Sequence, residues 1–311
     1  MHFSSPFYAF PDDRTHALYT ALFGDAAGDL LMMPLTIRQR ECTLKIQASV
    51  CLLCTAAYFL FGTINMQTVT GNRLTITSEK IRHNHTLAFV SDMHVGSSQS
   101  LHTTEKTIQK IASESPECII LGGDIVDEYT TKEEMETVFS WFGGLNIPVY
   151  FIYGNHDRQP NAERADGLHF TPQELEAALH ENSINVLKDE WIYLDSDLVI
   201  LGREDASSDE RLPLRSIKPR PEGVFILLID HSPYQYDEIA VSDADLQLSG
   251  HTHAGQLFPL QWIYEVAGFT AYGSYRHGNT DTYVSSGASG WQVPFRTEAV
   301  CHYEIVSLVA S

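Results

Sequence analysis

The stretch Pro148-Val-Tyr-Phe-Ile-Tyr-Gly-Asn-His-Asp157 decides the fold. Its first half is a run of β-branched and aromatic side chains, which is typical of a strand that is covered on both faces. Its second half is polar, and Gly154 lets the backbone turn tightly where the strand ends. The stretch therefore predicts a buried strand that carries polar side chains to one edge of a sheet.

The same arrangement of an apolar run followed by a polar block recurs along the chain. The other blocks are Asp92-Met-His94, Gly123-Asp124-Ile-Val-Asp127, Asp230-His231-Ser-Pro and Gly250-His251-Thr-His253. Helical patterns separate several of the runs, and two of them begin with N-terminal capping signals at Thr130-Thr131 and at Thr171-Pro-Gln-Glu174. Alternating strands and helices indicate an α/β architecture. Because ligands gather at the carboxyl ends of strands in open α/β sheets, we expect the blocks to meet at one edge. Their carboxylates, amide and imidazoles predict a site for two metal ions, with one histidine to spare.

The charge balance limits the partners of the chain. Its 311 residues include 40 Asp and Glu against 20 Lys and Arg, which gives a formal net charge of −20. A field of this sign repels polyanions, so we expect no nucleic-acid partner. A small phosphorylated substrate is still compatible with it, because bound divalent cations invert the potential locally.

The N-terminal region predicts a membrane anchor. No charged residue occurs from Ile46 to Asn72, and residues 46–64 form an apolar helix that nearly spans a ~30 Å hydrocarbon core. Basic residues precede this run, so the positive-inside rule places residues 1–45 in the cytoplasm or at its membrane surface. We expect a single-pass anchor with an extracytoplasmic catalytic domain over residues 70–311. A buried helix of a soluble protein is the alternative, and Ala17 to Leu35 is a weaker interfacial helix or second span.

The polar blocks, in this order and each behind a strand, resemble those of the calcineurin-like metallophosphoesterases. The resemblance covers residues 85–308 and is nearest to a membrane-associated branch. It is carried by Ser91-Asp-Met-His-Val-Gly96, Gly250-His-Thr-His-Ala-Gly-Gln256 and Tyr283-Val-Ser-Ser-Gly287 leading to Pro294-Phe-Arg296. It implies an α/β fold, a four-layer αββα sandwich, behind an N-terminal membrane helix.

The resemblance also implies a ligand set for two divalent ions. The metal ligands would be Asp92, His94, Asp124, Asn155, His231, His251 and His253, with Asp124 bridging the two ions. Imidazoles suit Zn, Fe and Ni whereas oxygen ligands suit Mn, so the metal identity stays open among these. Two such ions clamp a phosphoryl group and lower the pKa of a shared water. The set therefore predicts dimetal-dependent hydrolysis of a phosphoester or pyrophosphate bond.

His156 is the histidine left over for catalysis. It would face the substrate and protonate the leaving group, and Asp157 is grouped with it as catalytic. Asp127 would support the ligands by orienting an imidazole. For Asp127 and Asp157 the alternative is an ordinary turn or cap carboxylate.

The residue after Asp127 narrows the substrate class. Protein serine/threonine phosphatases of this superfamily usually carry an arginine there, whereas this chain carries Glu128. The departure favours a phosphodiesterase or pyrophosphohydrolase over a protein phosphatase. Other arginines could bind the phosphate instead, or could be ordinary surface residues. They are Arg158, Arg203, Arg211 and Arg296.

An aromatic run after the last metal ligands raises the question of a lipid substrate. It comprises Phe258, Trp262, Tyr264, Phe269, Tyr272 and Tyr275. We expect either an apolar wall that receives a lipid chain or ordinary packing. By resemblance one lipid-linked candidate is UDP-2,3-diacylglucosamine of lipid A biosynthesis, although that precursor is made on the cytoplasmic side. The alternatives are a phosphomonoesterase of small envelope substrates and a non-catalytic, membrane-tethered binding module.

Overall fold

A computed structural model describes residues 37–165, 167–218 and 221–311. The chain divides into two compact units, one that ends at Ala57 and one from Tyr58 to Ser311. Helix α1 (Ile37–Met66) begins in the first unit, and its last turns belong to the second.

Helix α1 extends the predicted span at both ends. Its part Thr43–Met66 is long and apolar enough to cross a membrane, by length and composition only. The helix begins well before Ile46 because the basic residues that flank the apolar run are themselves good helix formers. The apolar run Ala17 to Leu35 lies outside the described residues.

The second unit is built on two sheets of six strands each. In spatial order the first sheet contains β1 (Val69–Ser78), β12 (Cys301–Ala310), β2 (His85–Val90), β3 (Cys118–Leu121), β4 (Val149–Phe151) and β5 (Asn185–Val186). The second contains β10 (Gly273–His277), β11 (Thr280–Val284), β9 (Leu246–Ser249), β8 (Phe225–Ile229), β7 (Leu198–Gly202) and β6 (Glu190–Tyr193). Strands β2, β3 and β4 are parallel to one another, as are β7, β8 and β9.

Five further helices complete the described part of the chain. They are α2 (Leu101–Ser113), α3 (Lys132–Gly143), α4 (Pro172–Glu181), α5 (Tyr236–Ala240) and α6 (Leu260–Val266). Helices α3 and α4 open with capping boxes at Thr131 and Thr171, as the sequence predicts. Each box satisfies backbone donors that the first helical turn leaves free.

Alternate residues of the central strands enter two different cores. Ala88 and Ile119 pack with α2, α3 and α4, whereas Leu87 and Ile120 pack between the two sheets against β7, β8 and β9. This alternation is the period-two pattern of strands with both faces buried. The outer face of the second sheet is covered more thinly, in part by the short turn Leu214–Ser216. The predicted α/β sandwich of two sheets flanked by helices is confirmed.

The polar blocks stand at the carboxyl ends of five parallel strands. Blocks after β2, β3 and β4 come from the first sheet, and blocks after β8 and β9 come from the second. The edge on which they meet is therefore shared by both sheets, whereas the sequence alone predicts one edge without assigning it to two sheets.

Candidate dinuclear metal centre

Two adjoining groups of side chains form the centre. The first group is Asp92, His94 and His253; the second is Asp124, His231 and His251. Within each group one ligand atom per residue lies within 4.8 Å of the others. The Nε2 atoms of His94 and His231 lie 3.9 Å and 3.0 Å from Oδ2 of Asp124, so this carboxylate stands between the groups.

Local backbone geometry makes this close approach feasible. Asp92, Asp124 and His251 adopt φ angles of 53°, 53° and 73°, in the left-handed region that L residues seldom occupy. A Cβ added to Gly154 or Gly250 would overlap the carboxylate of Asp124 or Asp92. The glycines thus admit the carboxylates, and the strained residues are concentrated where strand ends deliver ligands.

Hydrogen bonds at Nδ1 hold three of the imidazoles and direct Nε2 of each ring towards the carboxylates of the centre. Nδ1 of His231 donates to the carbonyl of Gly122 at 2.8 Å, and Nδ1 of His253 donates to the carbonyl of Ser289 at 3.1 Å. A carbonyl can only accept, so Nε2 of each ring is left as the ligand atom. His94 is held in the same way by Asp127, with Nδ1 and Oδ2 at 3.0 Å.

Buried atoms without partners show that the centre fits metal ions. Nε2 of His94 and Oδ1 of Asn155 are buried, and neither has a hydrogen-bond partner among the described residues. Unpaired buried polar atoms are costly, and here both belong to predicted metal ligands. A mixed set of imidazole, carboxylate and amide donors is suited to two divalent cations.

Electrostatics at the centre favour ionised carboxylates. Burial alone would raise the pKa of Asp124, but the charge and hydrogen bond of His231 lower it well below its usual range. Burial lowers the pKa of His253 to about 4, against the opposing charge of Asp92. An anionic carboxylate and a neutral imidazole are the forms that bind metal.

His156 lies beside this centre and is held by a residue whose role sequence reasoning missed. Both oxygens of Glu128 lie 2.9 Å from Nδ1 of His156, and Asn161 donates to Glu128 at 3.0 Å. The backbone N–H of His156 donates to Oδ1 of Asp124 at 2.8 Å. The signal was present in the sequence, because Glu128 follows β3 and His156 follows its neighbour β4. From the sequence alone, Glu128 indicates only that the arginine typical of protein phosphatases is absent.

Asp157 lies behind the centre. Its two oxygens accept the backbone N–H groups of Gly154, Asp124 and Ile125 at 2.7, 2.8 and 2.9 Å. Both oxygens are thus engaged with the backbone that carries the ligands. A direct catalytic part for Asp157 stays a prediction, and this geometry favours a positioning part.

A cavity of about 390 Å³ opens beside the centre. Its floor includes Asp124, His156, His251 and His253, and its walls include Tyr234, Leu257, Leu260, Tyr264, Trp291 and Val293. Of the aromatic run that the sequence suggested as a wall, Tyr264 alone lines the cavity. One face of α6, with Leu260 and Tyr264 four residues apart, turns to the cavity, and the rest of the run points elsewhere. The sequence did not indicate Tyr234 or Trp291 as walls, since each lies far from that run.

The four arginines singled out in the sequence have protein partners. Arg296 is fully buried and donates to the carbonyls of Ser286, Ser289 and His253 at 2.7, 2.9 and 2.8 Å. Arg158, Arg203 and Arg211 pair with Glu204, Asp189 and Asp230, respectively. None of the four lines the cavity described above. Arg296 instead fixes the turn that carries His253.

Comparison with known proteins agrees with the geometry of the centre. The family model for calcineurin-like phosphoesterases matches residues 85–255. An uncharacterized metallophosphoesterase of Helicobacter pylori is 30% identical over 221 residues, which is 68% of this chain and 56% of the relative. One from Campylobacter jejuni is 24% identical over 275 residues, covering 85% of this chain and 70% of the relative.

A relative from Danio rerio is described as a transmembrane protein with metallophosphoesterase domain. It is 27% identical over 223 residues, which is 68% of this chain and 50% of the relative. The chain thus spans little more than half the length of the Helicobacter relative and half that of the Danio relative. The family match, with which the two ligand groups agree, places the chain in the calcineurin-like phosphoesterase family.

Proposed function

We propose that the chain is a membrane-associated phosphodiesterase or pyrophosphohydrolase whose substrate carries an apolar group. The observation that supports this most directly is the composition of the cavity. Its floor holds His156 and members of both ligand groups, namely His253 of the first and Asp124 and His251 of the second, and its walls are largely apolar. A phosphoryl group on the floor would leave its apolar substituent against Tyr264 and Trp291.

The proposed ligands divide between two ions. One ion would be held by Asp92, His94 and His253, the other by Asn155, His231 and His251, with Asp124 shared. Two divalent cations so held supply a phosphoryl clamp and an activated water. The remaining residues orient the ligands and handle the leaving group.

His156 is the proposed proton donor. Glu128 occupies Nδ1 of the ring, which leaves Nε2 for the cavity. An imidazole in this position stabilises charge on the leaving oxygen and passes a proton to it. Glu128 is a positioning residue in this scheme because it acts through His156.

The charge of the cavity favours diesters over monoesters. Among the described residues that line it there is no lysine or arginine. The nearby Arg158 is engaged by both oxygens of Glu204 at 2.7 and 3.0 Å. A monoester dianion has greater need of a cationic side chain than a diester monoanion. This, together with Glu128, argues against a protein phosphatase.

We further propose that α1 is a single-pass anchor and that the catalytic domain is extracytoplasmic. The apolar span Thr43–Met66 and the basic residues before it support this topology. Accessibility of the domain to protease in intact cells and in inverted vesicles would test it. An extracytoplasmic location of the domain would favour envelope phosphodiesters as substrates. A cytoplasmic location would favour a nucleotide-linked lipid such as UDP-2,3-diacylglucosamine.

The proposed reaction is tested by hydrolysis of bis-p-nitrophenyl phosphate with added Mn²⁺. We expect Asp124→Ala to abolish turnover. His156→Ala should lower kcat by less for this diester, whose p-nitrophenolate needs little protonation, than the roughly 10²–10⁴-fold expected for a diester with an alkoxide leaving group. His102→Ala and Asp209→Ala, at exposed positions away from the cavity, are the matched controls. Wild-type rates in either the Asp124 or the His156 variant would refute the mechanism.

A further inference from the structure

A patch of large apolar side chains covers the outer side of α6 and its flanks. We name it the 258–269 surface, and its members Phe258, Trp262, Ile263, Val266 and Phe269 are 69, 65, 48, 75 and 52% exposed. None of the 7 residues of α6, all of them described, is buried. Contiguous exposed apolar patches of this kind mark interaction sites.

The 258–269 surface is tied to the last turns of α1. The hydroxyl of Thr297 accepts the Tyr58 hydroxyl at 3.1 Å and the backbone N–H of Phe258 at 3.0 Å. The next residue, Glu298, accepts the backbone N–H of Gln261 at 2.7 Å. One two-residue turn thus contacts both the end of α1 and the beginning of α6.

One face of those last turns of α1 is apolar and exposed, whereas Asn65 and Met66 on the other face are buried. Phe59, Phe61 and Ile64 are each more than half exposed, although one side of the Phe59 ring contacts Phe295. Tyr58 precedes these residues on α1, so a helix that enters a bilayer with them in the acyl region brings the Thr297 turn at least as deep as the headgroup level. The 258–269 surface, attached to the same turn, then lies at that level too.

The chemistry of the surface matches the boundary between headgroups and acyl chains. Tryptophan and tyrosine are enriched there because their rings are apolar with one polar atom, and α6 carries Trp262 and Tyr264. Residues 258–269 contain a single charge, Glu265, and no basic residue. The surface is therefore suited to neutral lipid and does not need anionic headgroups.

We propose that the 258–269 surface rests on the bilayer that α1 enters, with Trp262 and Val266 at the headgroup boundary. The inference rests on the proposed membrane anchoring and adds a second contact with the lipid. It also deepens the proposed function. Because Leu260 and Tyr264 line the cavity from the same short helix, α6 separates the bilayer from the catalytic floor. A lipid-linked phosphodiester would reach His156 without leaving the membrane surface.

The test uses the full chain in phosphatidylcholine vesicles whose acyl chains carry bromine near the headgroup. Bromine quenches nearby tryptophan, and α1 contains no tryptophan. We expect quenching in the wild type and in the control Trp191→Phe, since Trp191 packs on the second sheet. Trp262→Phe should lose most of the quenching, and Val266→Trp added to that variant should restore it.

Three results would overturn the inference. The first is failure of the wild-type chain to float with the vesicles, which removes the anchor itself. The second is equal quenching in the wild type and in Trp262→Phe. The third is no quenching of Trp262 in vesicles to which the chain is bound, as burial against a second copy would give.

None of these readouts involves hydrolysis. A quenched but inactive chain would therefore refute the proposed function alone, and an active chain without quenching would refute this inference alone.

Discussion

Glu128 illustrates at the residue scale how one side chain sets the geometry of another. Its carboxylate is buried and holds Nδ1 of His156. We expect Glu128→Gln to lower kcat by about 10–100-fold with little change in KM, because the ring loses its orientation while the cavity keeps its shape. The exposed Glu133→Gln on α3 is the matched control.

The leaving group provides a readout that a merely structural role of Glu128 would not move. p-Nitrophenolate leaves easily and needs little protonation, whereas an alkoxide needs a proton in the transition state. In methyl p-nitrophenyl phosphate the leaving group is methoxide when the methyl side is cleaved and p-nitrophenolate when the aryl side is cleaved. Glu128→Gln should therefore lower kcat more for release of methanol than for release of p-nitrophenolate. An identical loss for both leaving groups would contradict the positioning role.

At the scale of elements, Arg296 connects the turn of His253 to the end of α1. Its guanidinium donates to three backbone carbonyls, one of which is that of His253. Its backbone N–H donates to the carbonyl of Gly62 at 3.1 Å. Lysine cannot reproduce a planar fork of donors. We expect Arg296→Lys to lower the free energy of unfolding by about 2 kcal/mol, since hydrogen bonds to charged groups contribute about 1.5–3.

Two measurements check the Arg296 prediction. Thermal unfolding in detergent should show a Tm lower by roughly 4–8 °C, and metal analysis should show reduced metal content. The control Arg276→Lys alters an exposed pair with Asp281, which contributes about 1 kcal/mol or less. A normal metal content in Arg296→Lys would mean that the turn of His253 holds its position without the arginine.

How much of these elements the sequence predicts depends on how local each one is. The capped helices at Thr131 and Thr171 and the strands before each polar block follow from short-range patterns and are found as predicted. The insertion of β12 between β1 and β2 does not follow from any local pattern, because pairing of distant strands is decided by packing. For the same reason the metal-ligand types were readable, whereas Trp291 and Tyr234 as cavity walls were not.

At the scale of the whole molecule, one buried histidine links the two sheets. His85, at the start of β2, lies 2.7 Å from Glu117 and 3.0 Å from Asp197, which stands in the turn before β7. Asp195, in the same turn, also faces it. Burial would lower the pKa of His85, but its hydrogen bonds to Glu117 and Asp197 raise it above the ordinary 6.5. The protonated ring therefore bridges acidic groups of both sheets.

This bridge predicts a pH-dependent stability. Because the folded pKa of His85 is raised, its contribution is complete below pH 6.5 and is lost as the pH rises through the raised value. Burial would raise the pKa of Asp197, but backbone N–H groups and His85 lower it from 3.8 to about 2. The contribution of Asp197 to stability is therefore complete above pH 3.8 and is lost as the pH falls towards 2.

The free energy of unfolding of the wild type should thus exceed that of His85→Gln by about 2 kcal/mol at pH 5, and by less at pH 9. Denaturant unfolding at both pH values, with the exposed neighbour His83→Gln as control, measures the difference. A gap that is equal at pH 5 and pH 9 would mean that the bridge carries no charge.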